Sequence, residues 1–224
     1  MKIIEPSIMV EQFNPRSIMR SIERACRTCY RSEDKVTEES YKKLLANCIN
    51  KGHESVMEHE KITIQMVCDI GVYKDLTRHR AGTAFSIEST RYCSYDKDKF
   101  GNEIKFIRPC HISDPGLYKT WETACYFIER DYNKMAELGA KPDQLRMILP
   151  HSTAALVTMT CNIREWRHIF SLRAQKMSHP SVQQVMIPLL RYFKEQMPEL
   201  FEDIPYNTEF NEEDYAKITV LPEL

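Results

Sequence analysis

The chain has 224 residues, 42% of them hydrophobic and 28% charged, with a formal net charge of −1. This balance allows a sizeable core and excludes collagen-like, low-complexity and globally disordered chains. The near-zero charge argues against a nucleic-acid binder working by bulk electrostatics, and no run approaches the roughly 18 apolar residues that span a bilayer.

Taken in chain order, the opening MKIIEPSIMVEQFNPRSIM has acidic residues breaking its only apolar stretch, so no secretory segment is expected. Ile18, Ile22, Cys26 and Cys29 recur at helical spacing and predict a helix over 17–31. Thr37 reads as the N-cap of a second helix through Ile49, stopped near Gly52. Alternation of Ile62, Ile64, Met66 and Cys68 with polar neighbours predicts a strand, and 73–80 reads as a short helix. A polar connection over 93–103 leads to a short strand at 104–107, then to a long helix from Pro115 to near Gly139. An apolar turn at 145–149 and a strand at 154–160 follow. Two helices, 162–176 and 180–197, close the pattern, the second kinked or broken by Pro188. With only short linkers and no repeats, residues 1–224 read as one α+β domain.

Eight cysteines accompany this pattern, at 26, 29, 48, 68, 93, 110, 125 and 161. The absence of a secretory opening favours a cytoplasmic protein with reduced thiols. Cys26 and Cys29 form a lone CxxC inside a helical pattern, without a second pair at zinc-site spacing, so packed thiols are expected and no metal.

Glycine is scarce: there are six, at 52, 71, 82, 101, 116 and 139. Neither the Gly-x-Gly of a dinucleotide loop nor the paired glycines of a phosphate loop exist, so any nucleotide must be held by side chains. Three regions could do so. Arg78, His79, Arg80 and Arg91, with the hydroxyls of Ser86, Ser89 and Thr90, offer guanidinium forks and donors for an anion; the bland alternative is a solvated basic turn. His53, Glu54, Glu58 and His59 lack the HExxH spacing, which favours hydrogen bonding and ring stacking over metal binding. On the helix after Asn162, Arg173 shares a face with Ile163, Trp166 and Phe170, while Arg164, Arg167 and His168 form another. A guanidinium on an apolar face must snorkel out or meet a polar partner.

Together these segments resemble the flavin-dependent thymidylate synthases. That family's signature is Arg-His-Arg, seven residues, a serine and then Arg-Tyr two places later; here stand Arg78-His79-Arg80 and Ser89-Thr90-Arg91-Tyr92. GHESVMEH at 52–59, Arg146 to Pro150, Asn162 to Arg173, His179-Pro180 and Pro198 to Phe201 also match, in order, over nearly the whole chain. The resemblance implies a mixed sheet with flanking helices and a homotetramer with shared active sites. It implies FAD as cofactor, dUMP as the nucleotide methylated to dTMP, methylenetetrahydrofolate as carbon donor and NADPH as reductant, with no nucleic-acid or membrane partner. Carried over by position, Ser55, Arg78, His79, Arg80, Asn162, Arg164 and His168 match FAD contacts, with His53 and Glu58 beside the flavin. Ser89, Thr90, Arg91 and Arg146 match dUMP contacts, and Arg173 matches the arginine that polarises uracil. Arg173, Ser89 and His53 are accordingly assigned to the chemistry.

Departures from the pattern surround the pyrimidine. Eight residues, not seven, separate Arg80 from Ser89, with the extra one within 81–84. Ile87 stands where the family has Glu or Gln, Glu88 is its acidic neighbour, and Asp75 replaces a longer side chain; all three count among the candidate substrate contacts. These changes keep open a hydroxymethylating enzyme or one acting on dCMP. Two other classes also remain: a nucleotide- or RNA-binding module built on the arginine cluster, and a thiol-redox protein using Cys26 and Cys29.

Overall fold

The computed structural model describes residues 1–93, 95 and 103–222; the connection expected over 93–103 lies mostly outside them. Strand β1 (Lys2–Ile4) and β2 (Ser7–Glu11) lead to helices α1 (Pro15–Thr28) and α2 (Ser40–Asn50). A 3₁₀ turn at Glu54–His59 precedes β3 (Lys61–Asp69), α3 (Ile70–Leu76) and β4 (Thr83–Ile87). Then come β5 (Lys105–Ile107), α4 (Pro115–Glu137), α5 (Pro142–Leu145), β6 (Ala154–Asn162) and α6 (Ile163–Arg173). The chain closes with α7 (Pro180–Gln196), α8 (Pro198–Phe201) and β7 (Lys217–Leu221).

The main sheet runs β4-β6-β3-β2-β7 and is mixed: β2 pairs with β7 in parallel, and the other neighbours are antiparallel. Its long central pair runs from Lys61 opposite Asn162 to Asp69 opposite Ala154. Strands β1 and β5 form a separate parallel pair. Helices flank the main sheet around a core that includes Ile8, Ile64, Met66, Met159, Trp166, Phe170 and Phe193, all at 0% exposure. Trp166, Phe170, Phe193 and Phe201 pack ring against ring with centroids 5.2 to 5.9 Å apart. A smaller cluster beneath α4 gathers Tyr95, Phe106, Cys125, Tyr132 and Leu145.

Local chemistry explains where elements begin. Helix α1 starts at Pro15 rather than Ser17, because Asn14 Oδ1 accepts the Ser17 N–H at 3.0 Å. This puts Pro15 where its missing N–H costs nothing. Thr37 does not cap α2. Ser40 Oγ instead accepts the Thr37 N–H at 2.9 Å and sits 2.6 Å from the buried Glu23 carboxylate, so the helix starts at Ser40. Helix α3 is shifted toward the N-terminus of its expected span, because Asp69 Oδ1 caps it through the Val72 N–H at 2.7 Å. Arg78-His79-Arg80 therefore lies on the loop after the helix.

Helix α7 is continuous through Pro188. A proline removes the hydrogen bond to the carbonyl four residues back, here that of Gln184. The Ala216 N–H fills that place at 2.9 Å, from the segment leading into β7. Cys26, Cys29, Cys48, Cys68, Cys110, Cys125 and Cys161 form no disulfide. Cys26 faces Cys48, with sulfurs 3.3 Å apart, rather than Cys29; burial and the neighbouring thiol push Cys26 up to about 12. A thiol so far from ionising at neutral pH is a poor nucleophile.

Candidate active site

The site is built where the sheet hands over to α6. Asn162 ends β6 and caps α6: its Oδ1 accepts the Glu165 N–H at 2.8 Å, and its own N–H donates to the Gly82 carbonyl at 3.0 Å. Gly82 turns the chain into β4 at φ +63°, and a Cβ there would lie 2.0 Å from Asn162 Nδ2. Only glycine fits this approach. The lengthened loop thus spends its one glycine on bringing bare backbone against Asn162.

Beside this junction lies a cleft of about 600 Å³, lined by Glu58, Gly82, Asn162, Arg164, Glu165 and His168 among others. Its acidic groups are largely matched. Glu58 pairs with Arg164, and Asp203 takes a two-pronged contact from the buried Arg167 at 2.7 and 2.8 Å. Arg167 also reaches Glu54 and the Leu200 carbonyl, so it holds the cleft wall rather than offering a free charge. The exposed Arg164 and His168 face the opening with donors, a pair suited to an anionic, flat ligand, while the Ser171 hydroxyl donates to the His168 carbonyl at 2.8 Å.

Behind the cleft, Arg173 does not snorkel. Its Nε donates to His79 Nε2 at 3.1 Å and its Nη2 to the Asp75 carbonyl at 3.1 Å. Among the described residues, nothing takes a hydrogen bond from its Nη1. His79 is buried, 3.0 Å from Glu165 Oε1 through Nδ1, with the His168 ring edge-on at 5.6 Å. Burial holds the His79 imidazole below its ordinary pKa, the Arg173 charge adding to this and the Glu165 bond opposing it. His79, Glu165 and His168 offer ligand atoms within 4.8 Å of one another, spacing that could hold a metal ion. However, His79 already spends both ring nitrogens on Glu165 and Arg173, which suits a hydrogen-bonded chain better.

The remaining candidates lie outside the lining of this cleft. His53 and Ser55 are exposed on the 3₁₀ turn, which is anchored by the buried Met57. Ser89 heads a tight turn, its carbonyl accepting from the N–H groups of Tyr92 and Cys93 at 3.0 and 2.9 Å. Ile87 ends β4, and Thr90 is half-buried beside Ser89. Arg78, Arg80, Arg91 and Arg146 are exposed, and among the described residues none of them forms an ion pair. By contrast, Arg27, Arg108 and Arg167 are all matched by acids. Asp75 lines a second cleft of about 510 Å³ with Lys74, His111, His151 and His179.

A family model described as "Thymidylate synthase complementing protein" matches residues 14–199. This chain belongs to that family. Among its relatives, a flavin-dependent thymidylate synthase of Pyrococcus abyssi is 28% identical over 161 residues, 71% of this chain. That match spans 65% of the Pyrococcus protein's length. A probable flavin-dependent thymidylate synthase of Mycobacterium phage L5 is 30% identical over 194 residues, 81% of this chain and 78% of that one.

Solved structures of family type share the fold. The UMP/dUMP methylase PolB from Streptomyces cacaoi, bound with 5-Br dUMP, superposes with a TM-score of 0.73 at 20% identity, over 90% of this chain and 96% of that one. Thymidylate Synthase X (ThyX) from Helicobacter pylori, with FAD and dUMP, gives 0.72 at 18% identity, over 89% and 98%.

Glu165 is the residue that the motif reading passed over, whereas Gly82 is legible as the one glycine of the lengthened loop, without a role. Asn162 and Glu165 stand at the spacing of a capping box, the signal that could have singled out Glu165. Its carboxylate does not close that box; it turns to His79 instead.

Proposed function

We propose that this chain is an FAD-dependent enzyme methylating dUMP to dTMP, with methylenetetrahydrofolate as carbon donor and NADPH as reductant. The observation that carries this reading is Arg173: a half-buried guanidinium, fixed by His79 and by the Asp75 carbonyl, with Nη1 left for a ligand. A fixed cation beside a pyrimidine stabilises negative charge as it develops on the ring, without reorganisation at the moment of reaction. Arg91 and Arg146, exposed and without acidic partners among the described residues, bind the nucleotide phosphate, with Ser89 and Thr90 adding hydroxyl donors.

The donor set of the cleft fits FAD. Arg164, His168 and the amide of Asn162 hold it from one wall, and the bare backbone of Gly82 allows close approach where a Cβ would obstruct. Bound FAD supplies the redox centre that exchanges hydride. Ser55, Arg78, Arg80 and His53 lie outside this chain's own cleft, which supports a homotetramer in which neighbouring copies complete each site. Among the described residues no helix is long and apolar enough to cross a membrane.

Mass analysis of the product from dUMP, methylenetetrahydrofolate, NADPH and FAD tests the proposal. A gain of one methylene group is expected, from protein that purifies yellow. An added oxygen, or turnover of dCMP in place of dUMP, would replace this reading with a different outcome on the same scaffold. Colourless protein that FAD cannot reconstitute would overturn it.

A further inference from the structure

Glu165, His79 and Arg173 form an unbroken hydrogen-bonded line from the buried floor of the cleft to the guanidinium. The proton positions in it follow from the chemistry of the end member. A guanidinium donates and cannot accept, so His79 Nε2 must present its lone pair to Arg173 Nε. The ring proton then sits on Nδ1 and is donated to Glu165 Oε1. Both His79 and Glu165 are below 10% exposed, which leaves water little access to replace either bond. Reversing the tautomer would set the His79 Nε2–H against the Arg173 Nε–H, donor against donor.

We propose that Glu165 is a positioning residue for nucleotide binding: by holding His79 in the Nδ1–H form, it aims Arg173 at the pyrimidine. The inference rests on the assignment of Arg173 to the nucleotide made above. Glu165 touches neither substrate nor cofactor in this role; it acts two side chains away. Arg173 carries its charge without Glu165, but not its bearing, since a lone Asp75 carbonyl leaves the guanidinium free to swing about one contact. Protonation of His79 has the same consequence as a wrong tautomer, because an imidazolium has no acceptor. The groups facing that imidazole are Glu165, His168 and Arg173, all from α6, with the Asp75 carbonyl of α3 behind Arg173. Nucleotide affinity therefore falls on the acid side as His79 takes up a proton.

The test uses the FAD-loaded enzyme and Glu165→Gln, whose amide can accept from Nδ1–H but can equally donate to Nδ1 and favour the wrong tautomer. The expected result is a rise of about tenfold in KM for dUMP, equivalent to the loss of one charged hydrogen bond, with FAD content and melting temperature close to wild type. In an Arg173→Ala background, Glu165→Gln adds nothing further to KM, because its effect travels through Arg173. The acid limb of dUMP binding expected in wild type is absent in Arg173→Ala. Wild-type KM in Glu165→Gln beside a defective Arg173→Ala would overturn the inference alone, as would losses that simply add in the double variant. Unchanged dUMP binding in Arg173→Ala would overturn the functional reading and this inference with it.

Discussion

Tyr95 Oη donates to Glu88 Oε1 at 3.0 Å, and the Leu156 N–H reaches the other carboxylate oxygen at 3.3 Å. Both oxygens of Glu88 are thus held by the protein at the end of β4, one residue beyond Ile87. Tyr95 is 7% exposed, and burial, with the Glu88 charge beside it, holds its hydroxyl well above the ordinary phenol range. The pair ties the lengthened loop to the smaller core beneath α4.

Tyr95→Phe removes that donor and leaves Glu88 with one weaker bond. Stability should fall by about 1.5–3 kcal/mol in urea unfolding, the usual range for a hydrogen bond to a charged group. If Glu88 is released toward the nucleotide, KM for dUMP changes as well. An unchanged KM would mean that Glu88 serves the loop alone.

Gly82→Ala places a methyl against Asn162 Nδ2 in a backbone conformation that disfavours side chains. Left-handed strain of about 1–2 kcal/mol and loss of the α6 cap, worth about 1 kcal/mol, should act together. The expected outcome is a lower melting temperature and protein that retains less FAD after gel filtration. A stable, fully yellow Gly82→Ala protein would show that the junction yields more easily than its geometry implies.

Arg167→Ala removes the fork on Asp203 and the contacts to Glu54 and the Leu200 carbonyl. Because the side chain of Asp203 is 46% exposed, water can take over part of its solvation. A loss of about 2–3 kcal/mol is expected, less than for a fully buried pair. Hydrogen bonding to Arg167 holds Asp203 below its ordinary 3.8. The folded state therefore binds the proton less readily than the unfolded one. The contribution is fully present above about pH 4 and is lost as pH falls through the lowered value. Arg167→Ala should flatten that part of the stability–pH curve, as measured by urea unfolding between pH 2 and 5.

Arg91→Ala should raise KM for dUMP by about tenfold or more, with a smaller effect on kcat, since a phosphate fork binds ground and transition states alike. Arg173→Ala should cost kcat as well, because in the proposed function its charge faces the reacting ring. Equal effects of the two variants on kcat would argue against this division of labour.

Much of this protein is legible in its sequence. The spacing of apolar residues marks α1 and β3, because burying one face of an element imposes a repeat that local sequence must carry, and the spans of α4, α7 and β6 are legible beside them. The short strand expected at 104–107 is β5, but its partner β1 and the edge strands β4 and β7 were not legible. Strand β1 exists through its pairing with β5, and β7 is mostly exposed, so hydrogen-bond partners rather than their own residues decide that they are strands. Pro188 shows the same limit: its helix continues because Ala216, 28 positions away, supplies the missing N–H.

For the site, the sequence by itself determined which residue types were available: arginine forks and hydroxyls in place of glycine loops, in an order that marks the family. Only the tertiary structure decided what each side chain does. Arg164 and Arg167 are three residues apart on one helix, yet one is exposed at the cleft and the other is locked against Asp203. His79 and Arg173 are 94 residues apart and share a hydrogen bond. Sequence spacing along α6 fixes which face a side chain leaves from, but its partner comes from whatever the fold brings opposite. The proton arrangement of His79, and through it the bearing of Arg173, belongs to that second kind of information.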